Sequence, residues 1–369
     1  MEIKQCNPRF LLIFSLFFTT ISSGVHDIDR LQAQHPGHHH RQHYNHHYCR
    51  HGGVKLFVFG DSFVDTGNFN RNGGSWVEPY GYTFPHKPSG RFSDGRVITD
   101  YIASFLGIKS PIPYRWRKIA NQDQLQHGMN FAYGGSGVFD TWIKNLPNLE
   151  TQINSLKQLF VDQIYTKNDF ANSVVLVSTS GNDYSFYLRQ NGTLQDMSNF
   201  TRRLINQLAK NLKQIHELGV QKIAVAGIGP AGCFPQQTAS SSYKICNENF
   251  NSASEFHNDV LKRALRKLNY ENRKSVFIFL DFYSTFKSAI NQHKHSSGNM
   301  DCKNPLRPCC DGVTSQNGCG QVHENGERKY VVCKHPELSF FWDSVHPSQN
   351  GWHSVYLSLH PTLRELLLH

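Results

Sequence analysis

The 369-residue chain lacks any run of about 18 consecutive apolar residues, so none of its segments reads as a membrane-spanning helix. The apolar stretch from Phe10 to Ile21 is too short for that role. It follows Lys4 and Arg9 and precedes Ser22-Ser23-Gly24, the pattern of a signal peptide over residues 1–24. The mature protein is therefore expected to be soluble and secreted. Acidic residues are few, 28 against 38 Lys and Arg, for a formal charge of +10 that drops by one when the leader is removed. The basic side chains are scattered rather than gathered in a stripe with interleaved aromatics, which argues against a nucleic-acid partner. In a secreted chain this excess points instead to weak adsorption on an acidic polysaccharide, such as one of a cell wall, or on a membrane surface. No Cys-x-x-Cys pair occurs, and there is no Gly-x-Ser-x-Gly elbow around Ser62, because Val64 stands where the second glycine would be.

Cysteine itself is not scarce. Of nine, Cys6 leaves with the leader, and Cys49, Cys233, Cys246, Cys302, Cys309, Cys310, Cys319 and Cys333 form an even set suited to disulfides in an oxidising compartment. Cys233 and Cys246 bracket the polar loop from Gln236 to Tyr243 and are expected to pair. Cys302 to Cys333 delimit a second, Gly- and Asn-rich stapled excursion. A zinc knuckle built from Cys309, Cys310, Cys319 and His323 or His335 is the competing reading. Two Asn-x-Thr sequons, at Asn191 and Asn199, lie in a polar stretch ahead of a helix and mark glycosylation sites. Residues 25–53 are rich in histidine and poor in aliphatics, so they cannot bury enough surface to offset their ordering entropy and read as a flexible tail.

From Val54 onward, short apolar runs alternate with amphipathic stretches, with no linker interrupting them, and one domain is expected over 54–369. The runs are Val54 to Phe59, Met129 to Ala132, Val174 to Ser178, Lys222 to Ala226 and Val276 to Leu280. Each is predominantly apolar, as strands covered on both faces of a parallel sheet are. Between them, Asp94–Leu106, Thr151–Ile164, Asn199–Leu218 and Ser252–Leu268 have helical periodicity, and Gln349–Leu368 closes the chain as a helix. The alternation predicts a three-layer α/β/α sandwich on a five-stranded, mainly parallel sheet. In such a fold the residues just past each strand converge on one edge.

Those residues carry chemistry. Ser62 follows the first run in Gly60-Asp61-Ser62, where Gly60 permits a tight bend. Asp343-Ser-Val-His-Pro347, 284 positions from Ser62 at its histidine, offers an imidazole with a carboxylate three residues upstream. Pro347 keeps His346 out of α conformation and is expected to start the last helix at its own position. Asp343 can then hold Nδ1, leaving Nε2 of His346 to accept the Ser62 proton. Phe340-Phe341-Trp342 supplies an apolar wall that would strengthen the pair. The Gly134-Gly135 turn and the Asn182 amide can add donors to the Ser62 N–H for a tetrahedral oxyanion.

Lys55-Leu-Phe-Val-Phe-Gly-Asp-Ser62, Asn130-Phe-Ala-Tyr-Gly-Gly-Ser-Gly137, Ser180-Gly-Asn-Asp183 and Phe341-Trp-Asp-Ser-Val-His-Pro347 resemble the four blocks of the plant GDSL esterase/lipases, a branch of the SGNH hydrolases. The likeness runs from about Lys55 to the C-terminus and includes Pro88-Ser-Gly-Arg-Phe-Ser-Asp-Gly95, similar to this plant branch in particular. The resemblance implies a flavodoxin-like hydrolase domain and a serine esterase acting on acyl esters without metal or cofactor. Ser62 would be nucleophile and first oxyanion donor, Gly135 and Asn182 the other donors, His346 the base and Asp343 its partner. Phe63 replaces the family's leucine and should alter only the packing behind the turn. Tyr133 stands where a small residue often precedes the glycines and is expected to narrow the acyl pocket. An acyltransferase or a carbohydrate acetylesterase would use the same residues, and a non-catalytic wall or metal-binding glycoprotein would make the His-rich tail the working part.

Overall fold

A computed structural model describes residues 53–141, 145–296 and 304–368, which belong to one compact unit, His51–His369. The expected leader, the His-rich tail up to residue 52, Cys49 and Cys302 lie outside the described residues. Strands β1 (Lys55–Gly60), β2 (Ile112–Pro113), β3 (Gly128–Asn130), β4 (Ser173–Ser178), β5 (Ile223–Ala226) and β6 (Phe277–Leu280) form one sheet in the order β2-β3-β1-β4-β5-β6. Every pairing is parallel, and β1 lies in register with all of β4, from Lys55 opposite Ser173 to Gly60 opposite Ser178. The sheet thus has six strands, not five. The extra one, β2, is a two-residue edge strand containing Pro113, and an edge is where a strand can lack a ladder N–H.

The continuous apolar runs have a direct structural cause. Leu56, Val58, Val174 and Leu176 point to one face of the sheet, and Phe57, Phe59, Val175 and Val177 to the other, all buried. The helices are α1 (Ile98–Phe105), α2 (Gln122–Leu125), α3 (Leu149–Val161), α4 (Lys167–Ala171), α5 (Gly181–Arg189), α6 (Met197–Glu217), α7 (Pro235–Thr238), α8 (Glu248–Asn272), α9 (Phe282–Ser296) and α10 (Gln349–Leu368). One face is covered by α1, α9 and α10 through Ile98, Phe286 and Trp352, and the other by α3, α6 and α8 through Ile153, Leu208 and Leu265. Each such side chain, fully buried, contributes about 1.5–3 kcal/mol. Asn199 lies within α6 rather than ahead of it.

A hairpin of β7 (Cys310–Gly312) and β8 (Tyr330–Val332) stands apart from the sheet. It is stapled by Cys309–Cys333 and Cys310–Cys319, so all three sulfurs considered for a zinc knuckle are held in disulfides. Cys233 pairs with Cys246, closing the expected loop. The hairpin is tied to the chain ahead of His346, since the N–H groups of Cys309 and Cys310 donate to the carbonyls of Phe341 and Trp342.

Candidate active site

β1 ends at Gly60, whose φ of +139° and whose position, where an added Cβ would lie 1.8 Å from the Ser178 carbonyl oxygen, admit only glycine. The bend puts Asp61 and Ser62 at the C-terminal edge of the central strand, beside the point where strand order reverses. Gln152 fixes the bend by accepting from the Gly60 N–H at 2.8 Å and donating to its carbonyl at 2.9 Å.

The loop before α10 supplies the partner. His346 Nε2 lies 2.8 Å from Ser62 Oγ, and Nδ1 lies 2.8 Å from Asp343 Oδ2. Asp343 also accepts from the N–H groups of Val345 and His346 and, at 2.8 Å, from the hydroxyl of Tyr80. Burial pushes the Asp343 carboxyl up, but the adjacent imidazole and these donors hold it below its ordinary value. The helix does not begin at Pro347. It begins at Gln349, because the Ser348 hydroxyl accepts from the Gly351 N–H and so acts as the N-cap.

The apolar surround differs from expectation as well. Phe340, Phe341 and Trp342 are buried beneath the loop, while Phe92 stacks on the imidazole at 5.0 Å and Phe63 meets it edge-on at 5.9 Å. Phe63 also packs on Trp352 and Phe286 behind the turn, but because it touches His346 and lines the cavity beside Ser62, its effect is not confined to that packing, contrary to expectation. The stretch containing Phe92 braces the loop from its other side. Ser93 donates to the Pro347 carbonyl, and Asp94 accepts from the Gln349 N–H.

Gly135, with φ +84°, and Asn182 line the same cavity as Ser62 and His346. The Gly134 N–H is already given to Asp65, which leaves Gly135 as the glycine of the pair at the cavity wall. Asn182 spends one amide hydrogen on the Ser136 carbonyl, a bond that orients its second. Tyr133 does not line the cavity. It packs against Phe69, so it does not narrow the space beside Ser62.

Several supporting residues have no counterpart in the sequence reading. Asp65 accepts from the N–H groups of Gly67, Asn68, Phe69 and Gly134, joining the Ser62 turn to the glycine turn. Asn68 donates to the carbonyls of Asn130 and Ala132, and Asn130 donates back to that of Val64. Asp65-Thr66-Gly67-Asn68 is an Asx-turn pattern that could have flagged the first of these. No local signal marks Tyr80.

Three buried carboxyls crowd the rear of the site. Burial pushes Asp61 up to about 7, and Asp65 and Asp183 up to about 6, against the backbone N–H groups they accept from. An acid that ionises at 3.8 when unfolded and near 7 when folded binds more protons in the native state between those values, so stability falls as pH rises across that window. Asp61→Asn is expected to be nearly neutral at pH 4 and to stabilise at pH 8, by up to about 4 kcal/mol. Thermal melts of both proteins at the two pH values check this, and equal shifts at both would contradict it.

The GDSL-like lipase/acylhydrolase family matches residues 56–356. A GDSL esterase/lipase of Arabidopsis thaliana is 42% identical over 369 residues, covering 99% of this chain and 99% of its own length. Another from the same plant is 46% identical over 317 residues, covering 85% of this chain and 88% of its own. Among solved structures, an acetyl xylan esterase from Geobacillus stearothermophilus overlaps 85% of this chain and 95% of its own at 13% identity and a TM-score of 0.36. The fold and the matched blocks define a hydrolase of the SGNH type. The chain belongs to the GDSL esterase/lipase family and is a carboxylic ester hydrolase.

Proposed function

We propose that this chain is a secreted serine esterase that cleaves acyl esters through an acyl-serine intermediate. The observation that carries the reading is the unbroken chain of contacts from Asp343 through His346 to Ser62, 2.8 Å at each end of the imidazole. His346 Nε2 takes the Ser62 proton as Oγ attacks the ester carbonyl carbon. The oxyanion that forms is met by the N–H groups of Ser62 and Gly135 and by the Asn182 amide. The carbon–oxygen bond to the alcohol then breaks, and His346 returns the proton to the departing oxygen. Water repeats the sequence, its proton going to His346 and then to Ser62 Oγ, and the acid is released.

The cavity beside Ser62 has a volume of about 540 Å³ and is walled mostly by apolar side chains, among them Tyr184, Leu188, Met197, Ile228 and Phe250. This lining suits a hydrocarbon acyl group. Secretion is supported by three disulfides and the leader-like N-terminus. Asn191 and Asn199 are exposed and are the proposed glycosylation sites. Incubation with a fluorophosphonate is expected to label one residue, Ser62, as mapped by peptide mass spectrometry. Labelling elsewhere, or none in an active preparation, would overturn the assignment.

A further inference from the structure

A second cavity, of about 550 Å³, opens at the β2 edge of the sheet, within the range of small-ligand sites. Its walls are unlike those of the first. Two indoles, Trp76 and Trp116, stand among hydroxyl, amide and charged groups that include Ser110, Asn121, Gln124 and Lys109. Such a lining offers hydrogen bonds in many directions and does not suit a hydrocarbon chain.

Two cations, Arg91 and Lys109, line this cavity, and others dispersed in sequence stack on its aromatic residues from outside the lining. The Arg71 guanidinium lies 4.9 Å from the Trp76 ring and 4.6 Å from that of Trp116, and Arg115 lies 5.4 Å from the latter. Arg117 stacks on Tyr114 at 4.0 Å. Arg91 is spent, with two nitrogens on Asp100 at 2.8 Å each. Lys109 is different: it is exposed, lines the cavity and makes no ion pair among the described residues. Asp123 supplies an acceptor in the same lining.

We propose that this cavity binds an acidic saccharide, with the indole surface that Trp76 and Trp116 leave to the cavity meeting sugar carbons, the amides and hydroxyls meeting sugar hydroxyls, and Lys109 meeting a uronate carboxylate. Indoles beside polar groups suit a ring with one apolar face and an equatorial rim of hydroxyls, and the unpaired ammonium selects a carboxylated one. The site adjoins the catalytic cavity through one residue. Phe69 lines the catalytic side, and its carbonyl accepts from Trp76 Nε1 at 2.9 Å. A polymer held here would keep its acyl substituents near Ser62, while the ester chemistry itself does not depend on the site.

The test is calorimetric titration of the full chain with oligogalacturonate, beside neutral xylo-oligosaccharide and a single-stranded oligonucleotide. Oligogalacturonate is expected to bind most tightly, and Lys109→Glu to weaken it about tenfold or more. Trp116→Ala is expected to weaken both saccharides. Turnover of a short p-nitrophenyl ester should be unchanged in Lys109→Glu, which also certifies its fold. Wild-type affinity in both variants, or an oligonucleotide binding as tightly as the uronate, overturns the proposal.

Discussion

Ser62→Ala is expected to lower turnover of a short p-nitrophenyl ester by about 10⁴- to 10⁶-fold while the protein stays folded. The size of the effect follows from what the hydroxyl does. In the proposed acyl-serine mechanism, loss of Oγ leaves no covalent intermediate and nothing for His346 to activate, and only the proposed oxyanion donors and the cavity remain. Folding should be nearly indifferent, because the only hydrogen bond that Oγ makes among the described residues is to His346, beside a cavity open to water. Initial-rate assays paired with a thermal melt test both halves. Turnover within tenfold of wild type in the alanine variant would remove Ser62 from the chemistry.

Asp343→Asn should cost about 10⁴-fold in kcat, and unlike the serine change it should also destabilise. Asp343 accepts from four donors, the N–H groups of Val345 and His346, His346 Nδ1 and the Tyr80 hydroxyl. An amide in its place turns an NH₂ toward one of them and can flip the imidazole to the wrong tautomer. The pH dependence has a definite sign. The carboxyl ionises below its ordinary value of 3.8 in the folded state, so its contribution to stability is present above that value and is lost as pH falls through the folded one. The stability gap between wild type and Asp343→Asn should therefore be widest near neutrality and close at strongly acidic pH. Chemical denaturation at several pH values measures it, and a gap that grows on acidification would contradict the role given to this carboxylate.

What the sequence made legible follows from local pattern. β1, β4, β5 and β6 could be read because helices cover both faces of each, so their residues are mostly apolar. β2 could not, since two residues with a proline carry no periodicity. Ser62, Asp343 and His346 stood out as residue types placed just beyond strand ends or just ahead of a helix, and the parallel topology did the rest. Tyr80 and Phe92 were invisible for the opposite reason. They meet the Asp343–His346 pair from more than 250 positions away, and nothing in their own neighbourhoods marks them. The pairing of Cys233 with Cys246 followed from the loop they bracket, but adjacent Cys309 and Cys310 gave no hint of which partner each would take. Arg71 and Arg115, dispersed along the chain, share two indoles only once it is folded, so the reading of a scattered basic surface missed their cluster.

The 2.8 Å contact between His346 and Ser62 spans 284 positions of the polypeptide. A ribosome must therefore finish nearly the whole message before the reactive hydroxyl acquires its proton acceptor. Nascent chains, prematurely terminated products and fragments trimmed upstream of that histidine would all be inert toward esters. Ester cleavage would therefore begin only once the segment carrying His346 has docked beside the end of β1.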